Sequence, residues 1–352
     1  MSTSAPDQIT QRRILCVGMC VLDIIHVCEQ FPEEDSDKRC LSGYWQRGGN
    51  ASNISTVLRN LNADCEFLGM LSESPAFGFL LEDQRKRGIK ISNCPTTTQD
   101  PPFSSVILVN EKDSRTIVHS NSNFPIVTYA HFSKLNLANY TWIHFEARNP
   151  SETLLMLKDI HAFNANIKDT AKRPKIQISV ELEKERVENL VLAELADYVI
   201  LGKDFARYLG WHDAKTALFG LRDRLQPQAV AGYSRPALIC TWGAAGASCL
   251  TINNEYYHIE AAKPSAVVDP LGAGDVFCAA TIYNLHYCNK NLKDAVDFGS
   301  ICAGYKIEHP SFDQLCCAHY KVFIQKLSRT GYSSVCQLRT AHVLRKLYMI
   351  FF

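Results

Sequence analysis

Val267-Val268-Asp269-Pro270-Leu271-Gly272-Ala273-Gly274-Asp275-Val276-Phe277 is the stretch from which the fold is read. Two β-branched residues predict a short strand, Gly-Ala-Gly a tight loop, and the residues from Phe277 through Ala280 and Thr281 a helix. Small residues at a helix N-terminus let backbone N–H groups approach an anion, and the helix dipole favours negative charge there. Gly272, Ala273 and Gly274 therefore outline an anion hole. Asp275 sits at the same positive end. It could take the proton from a hydroxyl attacking a phosphoryl group, or it could simply cap the helix; the residues by themselves leave both open. No Gly-Lys-Ser/Thr follows and GxGxxG is absent, which disfavours the Walker and dinucleotide-binding folds.

Working outward, strand-like runs alternate with helix-like ones. Ile14 to Val21 is an apolar run of strand length, broken by Asp23 and resumed by Ile24 to Val27. Trp142 to Phe145 precedes a helix from about Ser151, Ile176 to Val180 precedes a helix over Glu183 to Ala196, and Tyr198 to Leu201 precedes a helix to Leu209. Ala237 to Thr241 is a further strand. This alternation predicts an α/β fold with a mostly parallel central sheet flanked by helices. Hairpin signals, Ser105 to Val109 with Thr116 to His119, occur only in the first third and predict a small attached β-sheet.

A second glycine motif, Gly48-Gly49-Asn50-Ala51-Ser52-Asn53, opens a helix over Ala51 to Leu61 with Ile54, Val57, Leu58 and Leu61 on one face. Asn50 and Asn53 project from its first turn and can hold the vicinal hydroxyls of a polyol. A helix cap with a second, exposed Asn is the alternative.

Composition narrows the function. The 352 residues carry 37 Lys and Arg against 36 Asp and Glu, so no global field suggests nucleic acid as a partner. That balance hides an asymmetry, because residues 316–352 hold six basic and no acidic residues, leaving the first 315 mildly acidic. Met1 to Arg13 lacks a signal-peptide core and no apolar run has transmembrane length, so the chain reads as cytoplasmic. The 14 cysteines are scattered without zinc-type pairs and read as reduced, buried thiols.

The two glycine motifs together resemble the signatures of the ribokinase-like sugar kinases, the PfkB carbohydrate kinase family. Arg115-Thr116-Ile117-Val118, Trp142-Ile143-His144, Ser179-Val180-Glu181 and Lys203-Asp204 strengthen the likeness, which runs in order over about residues 12–315 and is densest with the fructose-phosphorylating branch. The resemblance implies a ribokinase-like fold with a β-sheet lid from about 23–47 and 105–119, and leaves 316–352 as a basic C-terminal extension. It implies ATP-dependent phosphorylation of fructose to fructose 1-phosphate; another sugar or a nucleoside as substrate, or a catalytically weak sugar-binding protein, are the alternatives. Asp275 matches the catalytic base, and Gly272, Ala273 and Gly274 the anion hole. Asp23, Gly49, Asn50 and Asn53 match sugar-binding positions, Arg115 an arginine near the nucleotide phosphates, and Gly243, Ala244, Ala245 and Gly246 the loop that meets ATP. Magnesium would arrive with ATP, no residue is assigned to a monovalent cation, and a homodimer would form through the lid. Two departures stand out: Pro270 replaces the family's usual Thr, and Gly243-Ala244-Ala245-Gly246 lacks acidic residues.

Overall fold

In the computed structural model, which describes residues 12–109, 114–121, 123–225 and 235–315, the first apolar run is divided between two sheets. Strand β1 (Ile14–Val17) is buried throughout, and the chain leaves its sheet at Gly18 before resuming as β2 (Val21–Cys28) in the other. A Cβ on Gly18 would stand 2.2 Å from Glu146 Oε2 and 2.7 Å from Ala51 Cβ, so only glycine lets the backbone turn there. Asp23 lies within β2 and does not break a strand. The expected single strand is thus two.

The remaining strands are β3 (Ser42–Gly48), β4 (Cys65–Leu68), the short β5 (Leu71–Ser72) and β6 (Thr96–Thr97), β7 (Phe103–Val109), β8 (Ser114–Ser120), β9 (Trp142–Phe145), β10 (Gln177–Leu182), β11 (Tyr198–Gly202), β12 (Ala237–Thr241), β13 (Ala247–Leu250) and β14 (Tyr256–Ile259). The helices are α1 (Asn50–Asn60), α2 (Gly78–Lys86), α3 (Tyr129–Phe132), α4 (Pro150–Ala165), α5 (Leu190–Ala193), α6 (Lys203–Tyr208), α7 (Ala214–Arg224), α8 (Ala273–His286) and α9 (Leu292–Ile307).

The central sheet has eight strands in the order β14-β13-β12-β11-β10-β9-β1-β4, parallel from β12 to β4. Each face carries its own apolar core. Ile54, Val57, Val276, Phe277 and Val296 of α1, α8 and α9 pack on one side; Met156, Ile160, Phe205, Leu218 and Leu221 of α4, α6 and α7 pack on the other. The chain steps from β1 to β4 on one flank and to β9 on the other, so the order reverses about β1, where ligand crevices of open α/β sheets form at the carboxyl ends of the strands.

A second sheet, β3-β2-β7-β8, is built from the two segments expected to form a lid. Its inner face buries Ile25, Val106 and Leu108 against Leu271, next to the glycine turn. Its outer face exposes Trp45, Phe103 and Val118.

Three further expectations need correction. Val267 and Val268 are exposed and form no strand; Val268 N and Asp269 N instead donate to Ile307 O at 2.8 and 3.0 Å. Glu183 to Ala196 is not one helix but a 3-10 turn (Val187–Asn189) followed by the single turn α5. The backbone at 183–186 is drawn out by Glu183 reaching Asn50 and by Arg186 N bonding to Lys184 O, so no helical ladder starts there. Antiparallel pairing is also not confined to the first third, because β13 and β14 extend the far edge of the central sheet around a turn at Asn254, φ 65°.

Candidate active site

Gly272 occupies the N-cap of α8 with φ 76°, and a Cβ there would lie 2.5 Å from the Phe312 ring. Glycine is required twice over, for backbone conformation and for space. Asp275 therefore does not cap the helix; it is buried in the first turn and its Oδ2 accepts a hydrogen bond from Asn53 Nδ2 at 2.7 Å. Burial pushes the Asp275 carboxyl up to about 8, with Asn53 opposing and the carboxylates of Glu183 and Glu146 adding to the rise. The first-turn N–H groups of Gly274 and Asp275 have no intrahelical acceptor by helix geometry, while Ala273 N makes a long 3.4 Å bond to Pro270 O.

Helix α1 enters the site through Gly49, whose φ of 92° accompanies a Cβ position 2.2 Å from Met19 O. The two amides do not point to one partner. Asn50 Nδ2 donates to Glu183 Oε2 at 2.7 Å and Glu181 Oε2 at 3.2 Å, whereas Asn53 faces Asp275. Asn53 Oδ1 is buried and, among the described residues, has no hydrogen-bond partner. Arg47, also buried, ties the start of α1 to α2 by bonding Ser52 O at 2.9 Å and Asp83 Oδ2 at 2.7 Å.

Asp23 reaches the site from the smaller sheet, its Oδ2 only 2.0 Å from where a Gly48 Cβ would be. Burial pushes its carboxyl up to about 6 against a bond from Ser104. Gln46, paired with Asp23 across β2 and β3, is buried and, among the described residues, neither of its amide atoms has a partner. Such orphaned donors and acceptors are costly unless ordered water or a ligand meets them.

Sequence reasoning missed a group of carboxylates at the carboxyl ends of β9 and β10. Glu146 Oε2 accepts Met19 N at 2.8 Å and Ala51 N at 3.3 Å, and its Oε1 pairs with Arg148 Nε at 2.6 Å. Burial holds Glu181 well above the usual carboxylate range, with Glu183 and Asp275 adding to the rise. Burial also raises Glu183, but Lys184, Asn50 and Arg148 outweigh it and leave that group lowered. The available signal was positional: acidic residues directly after predicted buried strands stand where open α/β sheets bind ligands.

Arg115, exposed on β8, donates from Nη1 to Pro270 O at 3.4 Å and so spans from the small sheet to the glycine turn. Gly243 (φ 61°) and Gly246 (φ 86°) bracket exposed Ala244 and Ala245 at the carboxyl end of β12, on the same edge of the central sheet. Among the described residues no group of three or more His, Cys, Asp or Glu is arranged to hold a metal ion, and no helix is long and apolar enough to cross a membrane.

A deep carboxylate held by an amide at the positive end of a helix, with an arginine over the same turn, can accept a proton beside a place that favours phosphate charge. The pfkB family carbohydrate kinase model matches residues 11–315, and the chain belongs to that family. Ketohexokinase from Mus musculus is 42% identical over 307 residues, 86% of this chain and 98% of the relative. The fold agrees with solved ribokinases: that of Giardia lamblia superposes with TM-score 0.75 at 16% identity over 90% of this chain and 99% of that one. That of Arabidopsis thaliana, complexed with ribose and ATP, gives 0.68 at 15% identity over 91% and 99%.

Proposed function

We propose that this carbohydrate kinase transfers the γ-phosphoryl group of ATP to fructose, giving fructose 1-phosphate and ADP. The reading is carried by the buried Asp275 carboxylate, bonded to Asn53 at 2.7 Å in the first turn of α8, in a chain 42% identical to a ketohexokinase. The sugar hydroxyl loses its proton to Asp275 as its oxygen bonds to the γ-phosphorus. The bond from that phosphorus to the β–γ bridging oxygen breaks, and ADP leaves with the electron pair. Charge developing on the phosphoryl oxygens is met by the N–H groups of Gly272, Ala273 and Gly274 and by Arg115.

Asp23, Asn50, Asn53 and the backbone at Gly49 hold the sugar hydroxyls. The unpartnered Asn53 Oδ1 and the Gln46 amide fit a polyol, which brings both donors and acceptors. Loop Gly243, Ala244, Ala245 and Gly246 meets ATP. Magnesium, entering with ATP, neutralises phosphate charge. The exposed Trp45, Phe103 and Val118 on the outer face of the small sheet support pairing of two copies through it.

The test is ADP release by the purified chain with MgATP and a panel of fructose, ribose, glucose and nucleosides. Fructose is expected to give the highest kcat/KM. A higher value for ribose or a nucleoside moves the substrate assignment, and calorimetric fructose binding without ADP formation overturns the kinase reading in favour of a binding protein.

A further inference from the structure

Lys306, in the last turn of α9, has no solvent exposure, a costly place for an ammonium group. Its Nζ lies 2.5 Å from Asp269 Oδ2 and donates to Asp269 O at 2.9 Å, with the Phe312 ring centre at 5.6 Å. Asp269 passes the restraint on. Its Oδ1 accepts Leu271 N at 2.9 Å and its Oδ2 accepts Ser311 N at 3.1 Å. The backbone entering Gly272 is thus stapled to the end of α9 by side chain and main chain together, and Asn60 Nδ2 steadies the far side through Phe312 O at 2.7 Å.

An isolated buried ion pair adds little net stability, because desolvation offsets most of the attraction. Stability alone therefore does not account for this one. Its place does: burial disfavours the Lys306 charge, Asp269 and then Asp275 favour it, and Arg115 opposes it, so the ammonium stands within electrostatic reach of the phosphoryl-transfer groups.

We propose that Lys306 is a positioning residue for phosphoryl transfer, acting through Asp269 to fix the Pro270–Gly272 turn and with it the geometry of the α8 N-terminus and Asp275. The inference rests on the kinase reading above. A displacement of about 1 Å in groups aimed at transition-state charge can cost about 100-fold in rate. Asp23, Asn50 and Asn53 ride on β2 and α1 and touch the turn only at its margins, through Asn53 on Asp275 and the small sheet on Leu271, so loss of the Lys306 restraint falls more on turnover than on sugar binding.

K306M removes the charge while keeping a long, buried side chain. It is expected to lower kcat about 100-fold, to leave sugar KM within about threefold of wild type, and to speed amide hydrogen exchange at Leu271 and Ser311. In K306A, added methylammonium or ethylammonium restores part of kcat. A folded K306M with kcat within about twofold of wild type overturns the proposal. K306M leaves Asp269 buried without its partner, so D269N/K306M is measured beside it and replaces it if K306M does not fold. A folded double variant that stays slow upholds the positioning role, whereas one at wild-type kcat means that the pair only cancels charge. If the wild-type chain forms no ADP with any sugar, the kinase reading falls, and exchange at Leu271 and Ser311 alone decides whether Lys306 holds the turn.

Discussion

Asp275 combines two properties that pull against each other. The base proposed above must be ionised, yet burial pushes this carboxyl up to about 8 from 3.8. For the free enzyme, kcat/KM should climb about tenfold per pH unit below that value and level off above it. D275N should lose several powers of ten in turnover in the ADP assay. The same shift gives a stability prediction of opposite sign. A group with a raised folded-state pKa contributes stability that is present below the ordinary carboxylate range and lost as pH rises toward the folded value. D275N, neutral at every pH, should be more stable than wild type at pH 8, by about 1 kcal/mol or more in urea melts. Asn53 works against the burial by donating to the ionised form. N53L should move the acid limb of the kcat/KM profile to higher pH by about one unit, besides weakening sugar binding. The place of Asp275 at a helix terminus was legible in sequence because the glycines announce it. Lys306 was not, because its partner lies 37 positions away on another element and nothing local marks a buried lysine.

Elements that were legible share one trait: a short, mostly apolar run of strand length, as in Trp142–Phe145 and Ala237–Thr241, whose ends match the sequence reading. Those misread were decided by tertiary contacts. The run from Ile14 looked continuous because β1 and β2 are both largely buried, though in different sheets. Residues 183–196 looked helical, but their first acidic residue is drawn to Asn50. Gly18 is the hinge between the first two strands, and G18A would push Glu146 off the N–H groups of Met19 and Ala51. The variant should be less stable by about 1–3 kcal/mol, read from urea unfolding, and should bind sugar more weakly because Glu146 orients the start of α1.

At the scale of the molecule, the class of fold followed from alternating strands and helices, while the site carboxylates did not. Glu146, Glu181 and Glu183 come together only because β9 and β10 are neighbours in the sheet. The outer face of the small sheet belongs to this scale as well. W45D/V118D should leave the fold intact by circular dichroism and convert the expected dimer to monomer in light scattering; an unchanged mass would place the contact elsewhere.

The division at Gly18 has one more consequence. Asp23 hangs on one sheet, whereas Asn53 and Asp275 belong to the layer that packs on the other. With these groups on the sugar as proposed above, the sugar would be a strut between two bodies, and its affinity in part a gauge of their separation. Linkage makes this reciprocal: whatever draws the two sheets together, at the outer face or along Arg115, tightens the hold on sugar by the same factor with which sugar tightens it.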